Sequence, residues 1–591
     1  MYRIFSKNLA FKNSLRALIA FLMVSPLFLT ACGEDEVPGN PTLSLSRTTT
    51  NATVGQMAST TLTISAPAGA KSLIITRNGV PQTPVSLNGA QTATHNFEYT
   101  ISDQTAPGTV LTFAFSVVDN LDRISVPTLF TVTAVAKPII EVTGNITGNV
   151  TWTAANIYRL NGFVRVVEGA RLTIEPGTLI VGDRATKGTL IVQMGGQIFA
   201  NGTSTRPIVM TSENAPGFRE PGDWGGLVIC GRAPNNITSV TGLPVELEGG
   251  YGAFHGGNVP TDNSGILRFV RIEYAGIPIN PNEEVNSLTL GSVGSGTVIE
   301  NIMVSFGLDD AYEWFGGTVN ARNLISYRTL DDCFDVDMGW TGNVQFALSI
   351  RGAGLADQSG SNTFEVDNNG TGSAALPFTE GVFANVTVIG PKKNRDLPIS
   401  LQYANAAHLR RNSRISIYNS LMTAFPNGLF IDDAAAGSGQ AALDGHLQIR
   451  NLWLAGVSHW GGNGYGSAGT VFTGAPSNGA QHPTMPRGEA LRSHANFPGG
   501  AAAYATWFNT ADFNNRLFNN WELLLINETI FDLGQPVLTP LANSPLLTGA
   551  RWTNTPKAGT FFERVNFIGA FGATDWTQGW AEWNPHLVRY F

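Results

Sequence analysis

Residues 301–315 read NIMVSFGLDDAYEWF, and residues 323–337, offset by 22 positions, read NLISYRTLDDCFDVD. Each copy sets an Asn before an apolar run, then Leu-Asp-Asp, then an aromatic and an acid. A unit of this length cannot bury a core alone, so its copies must stack on one another. That requirement restricts the fold to a solenoid.

A second beat precedes it. The triplets Leu172-Thr173-Ile174, Leu190-Ile191-Val192, Ile208-Val209-Met210 and Gly226-Leu227-Val228 recur every 18 residues, separated by the glycine-bearing turns EPGT, MGGQ, ANGT and DWGG. Short β runs at a period near 20 predict a parallel β-helix, with Val192 and Met210 facing inward in neighbouring coils and Thr173 outward. The glycines do not recur every six residues and the later coils lengthen to 22, which favours the right-handed form. The expected insertion lies at about 232–264. Composition agrees with an all-β chain: 66 Gly, 31 Pro and 14% charged residues in 591.

The predicted organisation is a lipoprotein signal peptide at 1–31, an acidic linker at 32–39, an Ig-like β-sandwich at 40–136, the parallel β-helix at 138–454 and a C-terminal cap at 455–591. In the first module, TLSLS, STTLTISA, SLIITRNG, HNFEYTIS and TVLTFAFSVVDN follow one another at roughly ten-residue intervals, the pattern of a sandwich. It is expected to act as a spacer. The last region, with AAAYATWFNTADF and Trp576, Trp580 and Trp583, is expected to close the open end of the solenoid.

Arg3, Lys7, Lys12 and Arg16 precede an apolar run at 17–29 and then Leu29-Thr30-Ala31-Cys32. This ending resembles a bacterial lipobox, which implies acylation of Cys32 and attachment to a membrane by lipid. The plainer alternative is an ordinary signal peptide with an incidental Cys. Gly33-Glu34-Asp35-Glu36 resembles the signal that sends lipoproteins to the outer face of the outer membrane. Cys230 and Cys333, both in apolar runs, are expected to be buried thiols. A net charge of −8 without basic clusters argues against nucleic acid as a partner.

Four stretches, DWGGLVI at 223–229, EGGYG at 248–252, SGILRFVRIEYAG at 264–276 and GAFGATDWT at 569–577, make residues 140–591 resemble a family of outer-membrane surface lipoproteins from Bacteroidota-type bacteria. The resemblance implies a pectate-lyase-like β-helix, an Ig-like module and a cell-surface location. It implies no activity.

Stacking places Asp309 over Asp331, Asp310 over Asp332 and Glu313 over Asp335, and Asp337 adds a seventh acid. Carboxylates ~5 Å apart repel by about 3 kcal/mol per pair at an effective dielectric of ~20. Relief can come from solvation with Asp-capped turns, from a hard cation such as Ca²⁺, or from protonation that turns a pair into an acid and base acting on a glycosidic bond. Tyr312, Trp314, Phe334 and Trp340 flank the acids and are candidate ring faces for a sugar. Glu365 and Asp367 are candidates to extend the acidic face, and Arg328 and Arg351 are candidate bases. The eight histidines show no HExxH-type spacing, and no GxSxG elbow, phosphate loop or dinucleotide fingerprint stands in a strand-to-helix context. The leading expectation is a surface protein binding an extracellular polysaccharide, with a lyase or hydrolase and a structural or adhesive protein as alternatives.

Overall fold

The computed structural model describes residues 37–102, 105–281, 283–394, 397–400, 402–435, 437–457, 471–474 and 490–591. Cys32, the signal segment and residues 33–36 lie outside them. Among the described residues, no helix is long and apolar enough to cross a membrane.

In the N-terminal module the strand Met57–Arg77 pairs antiparallel with Thr42–Leu45 and with Val110–Asp119. Strict alternation of buried and partly exposed positions along Val110–Asp119 gives the sheet one apolar face. On it, the Phe97 ring meets those of Phe113 and Phe115, each at 4.9 Å between centroids.

From Ile139 onward the strands stack in parallel into a fifteen-stranded and a twelve-stranded sheet, the arrangement of a parallel β-helix. The 22-residue repeat is one coil: Val298 pairs with Asn320, and Tyr312 with Phe334. The 18-residue beat is not a coil. Leu172 pairs with Ile198 in one sheet and Leu190 with Leu227 in the other, so successive triplets belong to different faces and the early coils run to 26 residues and more. The inward positions are nonetheless as expected, because alternation within a strand does not depend on coil length. Val192 and Met210 are fully buried in the solenoid core, while Thr173 is partly exposed.

The Asn that opens each repeat has a backbone reason. Asn301 and Asn323 both have φ +57°, and Asn385, Asn419 and Asn451 hold the same left-handed conformation in the same column. At each, the ladder skips one residue: Glu300 pairs with Arg322 and Ile302 with Leu324. Asn tolerates this conformation better than other residues with a Cβ, so it marks the bend of every such coil. Phe269 and Phe346 occupy the column at the two exceptions.

Only part of the C-terminal region is a cap. The helix Gly500–Phe508 sends Tyr504, Trp507 and Phe508 into the solenoid core, and the Tyr504 hydroxyl donates to the Leu429 carbonyl at 3.0 Å. The rest is a strap along the outside of the fifteen-stranded sheet. After Arg516–Phe518, which pairs with Trp453–Ala455 as the last strand of that sheet, it returns to the Gly549 carbonyl, which accepts from Asn451 at 3.0 Å, reaches Glu563 at Gln345 (2.7 Å), doubles back to Phe567 at Asn385 (2.9 Å) and then descends to the earliest coils. There Tyr590 and Phe591 pack on Ile157, Leu179, Val181 and Val209. The strap is required because this sheet carries apolar side chains on its outer face too: Tyr274, Met303, Ile325, Tyr327 and Trp453 are buried beneath it.

Candidate functional site

Three successive coils of the twelve-stranded sheet, through the strands Tyr312–Gly317, Phe334–Asp337 and Phe364–Val366, set Glu313, Asp335 and Glu365 in one outward row. Alternation puts Tyr312, Phe334 and Phe364 in the next row, pointing inward. Tyr312, Trp314, Phe334 and Trp340 are each fully buried and stacked on one another inside the solenoid. They are core residues, and the expectation that they form a sugar platform is corrected. Their parity in the strand, opposite to that of the acids, is the cause.

The two acids of each Leu-Asp-Asp differ in duty. Asp310 Oδ1 accepts from the Asp332 amide one coil on, at 2.8 Å. Asp332 in turn accepts from the Asn362 amide, and Asn362 Oδ1 from the Asn405 amide at 3.1 Å. The second acid of each pair thus joins a column of side chains that cap the next coil. The first acids take no such part. Asp331 accepts only from the Ser359 hydroxyl, at 2.7 Å, and Asp309 stands beside it.

These rows open into a cavity of about 660 Å³ lined by ten carboxyl groups: Glu248, Glu284, Asp309, Asp310, Glu313, Asp331, Asp332, Asp335, Asp357 and Glu365. The one basic side chain in the lining is Arg410, and it is already engaged, by Asp367 at 2.8 Å and by Glu365. Among the described residues, Leu308 is the sole apolar side chain in the lining, and no aromatic ring belongs to it. Asn286, 2% exposed, also faces the cavity; its Nδ2 donates to Glu313, while its Oδ1 has no donor.

Burial and mutual repulsion raise the proton affinity of this set. Burial first, then Asp331, pushes Asp309 well above the ordinary carboxylate range, and burial with Asp309 and Asp335 does the same to Asp310. Glu313, Asp332 and Asp335 are raised well above it too, by burial and then by their acidic neighbours. Asp331 is pushed to about 7 by burial and Asp357; Glu248, although exposed as a residue, is raised to about 7 by desolvation of its carboxyl within the cavity, Glu284 and Glu283.

Carboxylate oxygens converge within 4.8 Å in three overlapping groups: Asp309, Asp310 and Asp331; Asp310, Glu313 and Asp335; Asp332, Asp335 and Glu365. All donors are oxygen, the set that suits a hard cation such as Ca²⁺, and neither His nor Cys enters. Six of the seven acids expected from the repeat therefore come together. Asp337 does not: it lies outside the cavity lining, raised to about 7 by burial and by Asp367, whose carboxylate Arg410 and Arg411 hold.

Neither candidate base belongs to the site. Arg351 is buried and holds the Leu330 and Asp331 carbonyls, and Arg328 lies over the Phe306 ring. Sequence reasoning missed Glu248, Glu284, Asp357 and Arg410. The first three sit on loops between coils, where no periodicity points to them, and Arg410 was legible only as the end of a strand-like run.

Comparison with curated proteins finds no match. The Pectate-lyase like beta helix domain matches residues 144–475, more than half of the chain and all three coils of the cavity. The chain belongs to the pectate-lyase-like β-helix family.

Proposed function

We propose that this protein binds an extracellular polysaccharide through the acidic cavity, with Ca²⁺ held among its carboxylates. The observation that carries the reading is the run of three overlapping carboxylate groups, sharing Asp310 and Asp335, on the outer face of a pectate-lyase-like β-helix. The family supports a polysaccharide-related role. The crowding supports a cation, because it relieves repulsion that protonation otherwise has to relieve. Calorimetry of the protein against a glycan panel, with calcium and with chelator, tests it: binding of at least one glycan and a calcium-dependent rise in melting temperature are expected. A melting curve indifferent to calcium removes the cation, and a silent panel removes the polysaccharide.

One observation favours an enzyme as the second reading. Asp331 and Glu248 are raised to about 7, the range of a general acid, in a cavity lined by eight further carboxyls. Release of reducing ends from a glycan that binds would establish a hydrolase, and an unsaturated product absorbing in the ultraviolet would establish a lyase. Inertness in both binding and cleavage would leave a structural or adhesive protein.

The chain is proposed to reach its polymer as a lipid-anchored protein of the outer membrane, exposed at the cell surface, with residues 40–136 as an Ig-like spacer. The lipobox-like ending at Cys32 supports this. Cys32→Ala should release the protein from the membrane fraction and abolish labelling with fatty acid; a variant that stays membrane-bound overturns the anchor.

A further inference from the structure

Three of the ten cavity carboxylates take no part in the groups that converge on a cation: Glu248, Glu284 and Asp357. None comes from a coil repeat. Glu248 lies in the insertion between the strands Val245–Glu246 and Phe254–His255, Glu284 in the short hairpin of Pro278–Asn280 with Glu283–Glu284, and Asp357 in the turns after the strand Asn343–Ile350. Three separate loops each bring one acid to the same cavity. Glu248 is exposed, and Glu284 and Asp357 are half-buried like Asp309, Asp331, Asp335 and Glu365, whereas Asp310, Glu313 and Asp332 are 7%, 7% and 3% exposed.

Two residues after Glu284, Asn286 lines the same cavity with an Oδ1 that has no donor although its residue is 98% enclosed. A buried acceptor left unpaired is costly and calls for a donor from whatever fills the cavity. The remaining lining narrows the ligand. A neutral sugar ordinarily stacks on an aromatic face, and among the described residues none lines this cavity. An acidic sugar would add negative charge to ten carboxyls, and with Arg410 committed to Glu365 and Asp367 only a bound cation would offset it. An ammonium group supplies both positive charge and N–H donors.

Resting on the reading that the cavity takes a polysaccharide, we infer that the polymer carries free amino groups, which Glu248, Glu284 and Asp357 bind beside the cation groups. The ligand class is an amino-sugar chain that is not fully N-acetylated. Charge makes the recognition, so it weakens with added salt.

The test is titration calorimetry of the full chain with calcium present, at neutral pH, where sugar amines and Glu248 both carry part of their charge. The probes are glucosamine oligosaccharides, their fully N-acetylated counterparts of equal length, and oligogalacturonate. The deacetylated chains should bind at least about tenfold tighter than the acetylated ones, and the combined variant Glu248→Gln, Glu284→Gln, Asp357→Asn should lose that preference. The variant should keep the calcium-dependent rise in melting temperature of the parent, since none of the three belongs to a cation group; this also reports that it is folded. Equal binding of acetylated and deacetylated chains, or a preference for oligogalacturonate, overturns the amino-sugar inference and leaves polysaccharide binding intact. Binding of none of the three overturns the inference, and a silent wider panel then overturns the reading beneath it.

Discussion

Asp309 and Asp310 are adjacent and carry the same charge, yet their substitution should have opposite effects. Asp310 caps the Asp332 amide, so Asp310→Ala leaves a buried N–H without a partner and should cost about 1–3 kcal/mol in denaturant unfolding. Asp309 caps nothing on the next coil and stands against Asp331, so Asp309→Asn should leave the calcium-free protein unchanged or slightly more stable, while blunting its response to calcium. If both variants lose equal stability, the two acids do not differ in duty. The cavity also predicts a pH dependence. Its carboxyls hold their protons in the folded state to about 7 at Asp331 and Glu248, with Asp310 also raised well above its ordinary value, against about 4 in an unfolded chain. Between those values the folded state binds more protons, so the stability these groups allow is full below pH ~4 and is lost as pH rises through ~7. The calcium-free melting temperature should therefore fall between pH 5 and pH 8, and saturating calcium should flatten the fall. The stacking of these acids was legible because a 22-residue offset aligns them whatever the coil looks like. Which side chains point outward was equally legible, since Tyr312, Glu313, Trp314 and Phe315 alternate; taking both the rings and the acids as surface groups ignored that alternation.

At the scale of the coil, the Asn column tests whether the repeat is read from its backbone. Asn323 has φ +57°, is half-buried, and sits where the ladder skips a residue. Asn323→Gly should be nearly neutral, because glycine reaches this conformation freely, whereas Asn323→Val should cost about 1–2 kcal/mol, because a β-branched side chain clashes there. Equal melting temperatures for the two would mean that the column is incidental. The same column explains what the sequence concealed. Where coils lack insertions, as between Val298 and Arg328, their length is constant and the repeat can be seen directly. Where turns vary, as from Leu172 to Leu227, coil length changes from one rung to the next, and an even interval between apolar triplets arises from strands on different sheets. Inward positions survive such an error, as Val192 and Met210 show, because they rest on the period of two within a strand.

The strap acts on the whole molecule. Unlike the coils it has no period, since each of its segments answers to a different local surface, and this is why it read as a cap. Its far end is held at one buried cluster: the Tyr590 hydroxyl donates to Glu273 Oε1 at 2.7 Å, Thr211 donates to Oε2 at 2.9 Å, and Arg219 holds the Pro585 carbonyl at 2.6 Å and lies over the Tyr590 ring. Glu273 is 1% exposed, so taking away one of its donors leaves a buried carboxyl less well paired. Tyr590→Phe should therefore cost about 1–3 kcal/mol while preserving the ring packing. Tyr590→Ala also removes the apolar contact with Ile157, Leu179, Val181 and Val209 and should cost more. Because the strap covers Tyr274, Met303, Tyr327 and Trp453, loosening it should expose a continuous apolar band before the solenoid core opens. The expected signature is binding of a hydrophobic dye and faster hydrogen exchange along the fifteen-stranded sheet in Tyr590→Ala, with β-sheet circular dichroism retained. Exchange that accelerates equally in the core column of Leu190, Leu227 and Leu288 would mean that strap and solenoid unfold as one unit, and that the strap is part of the core rather than a cover laid over it.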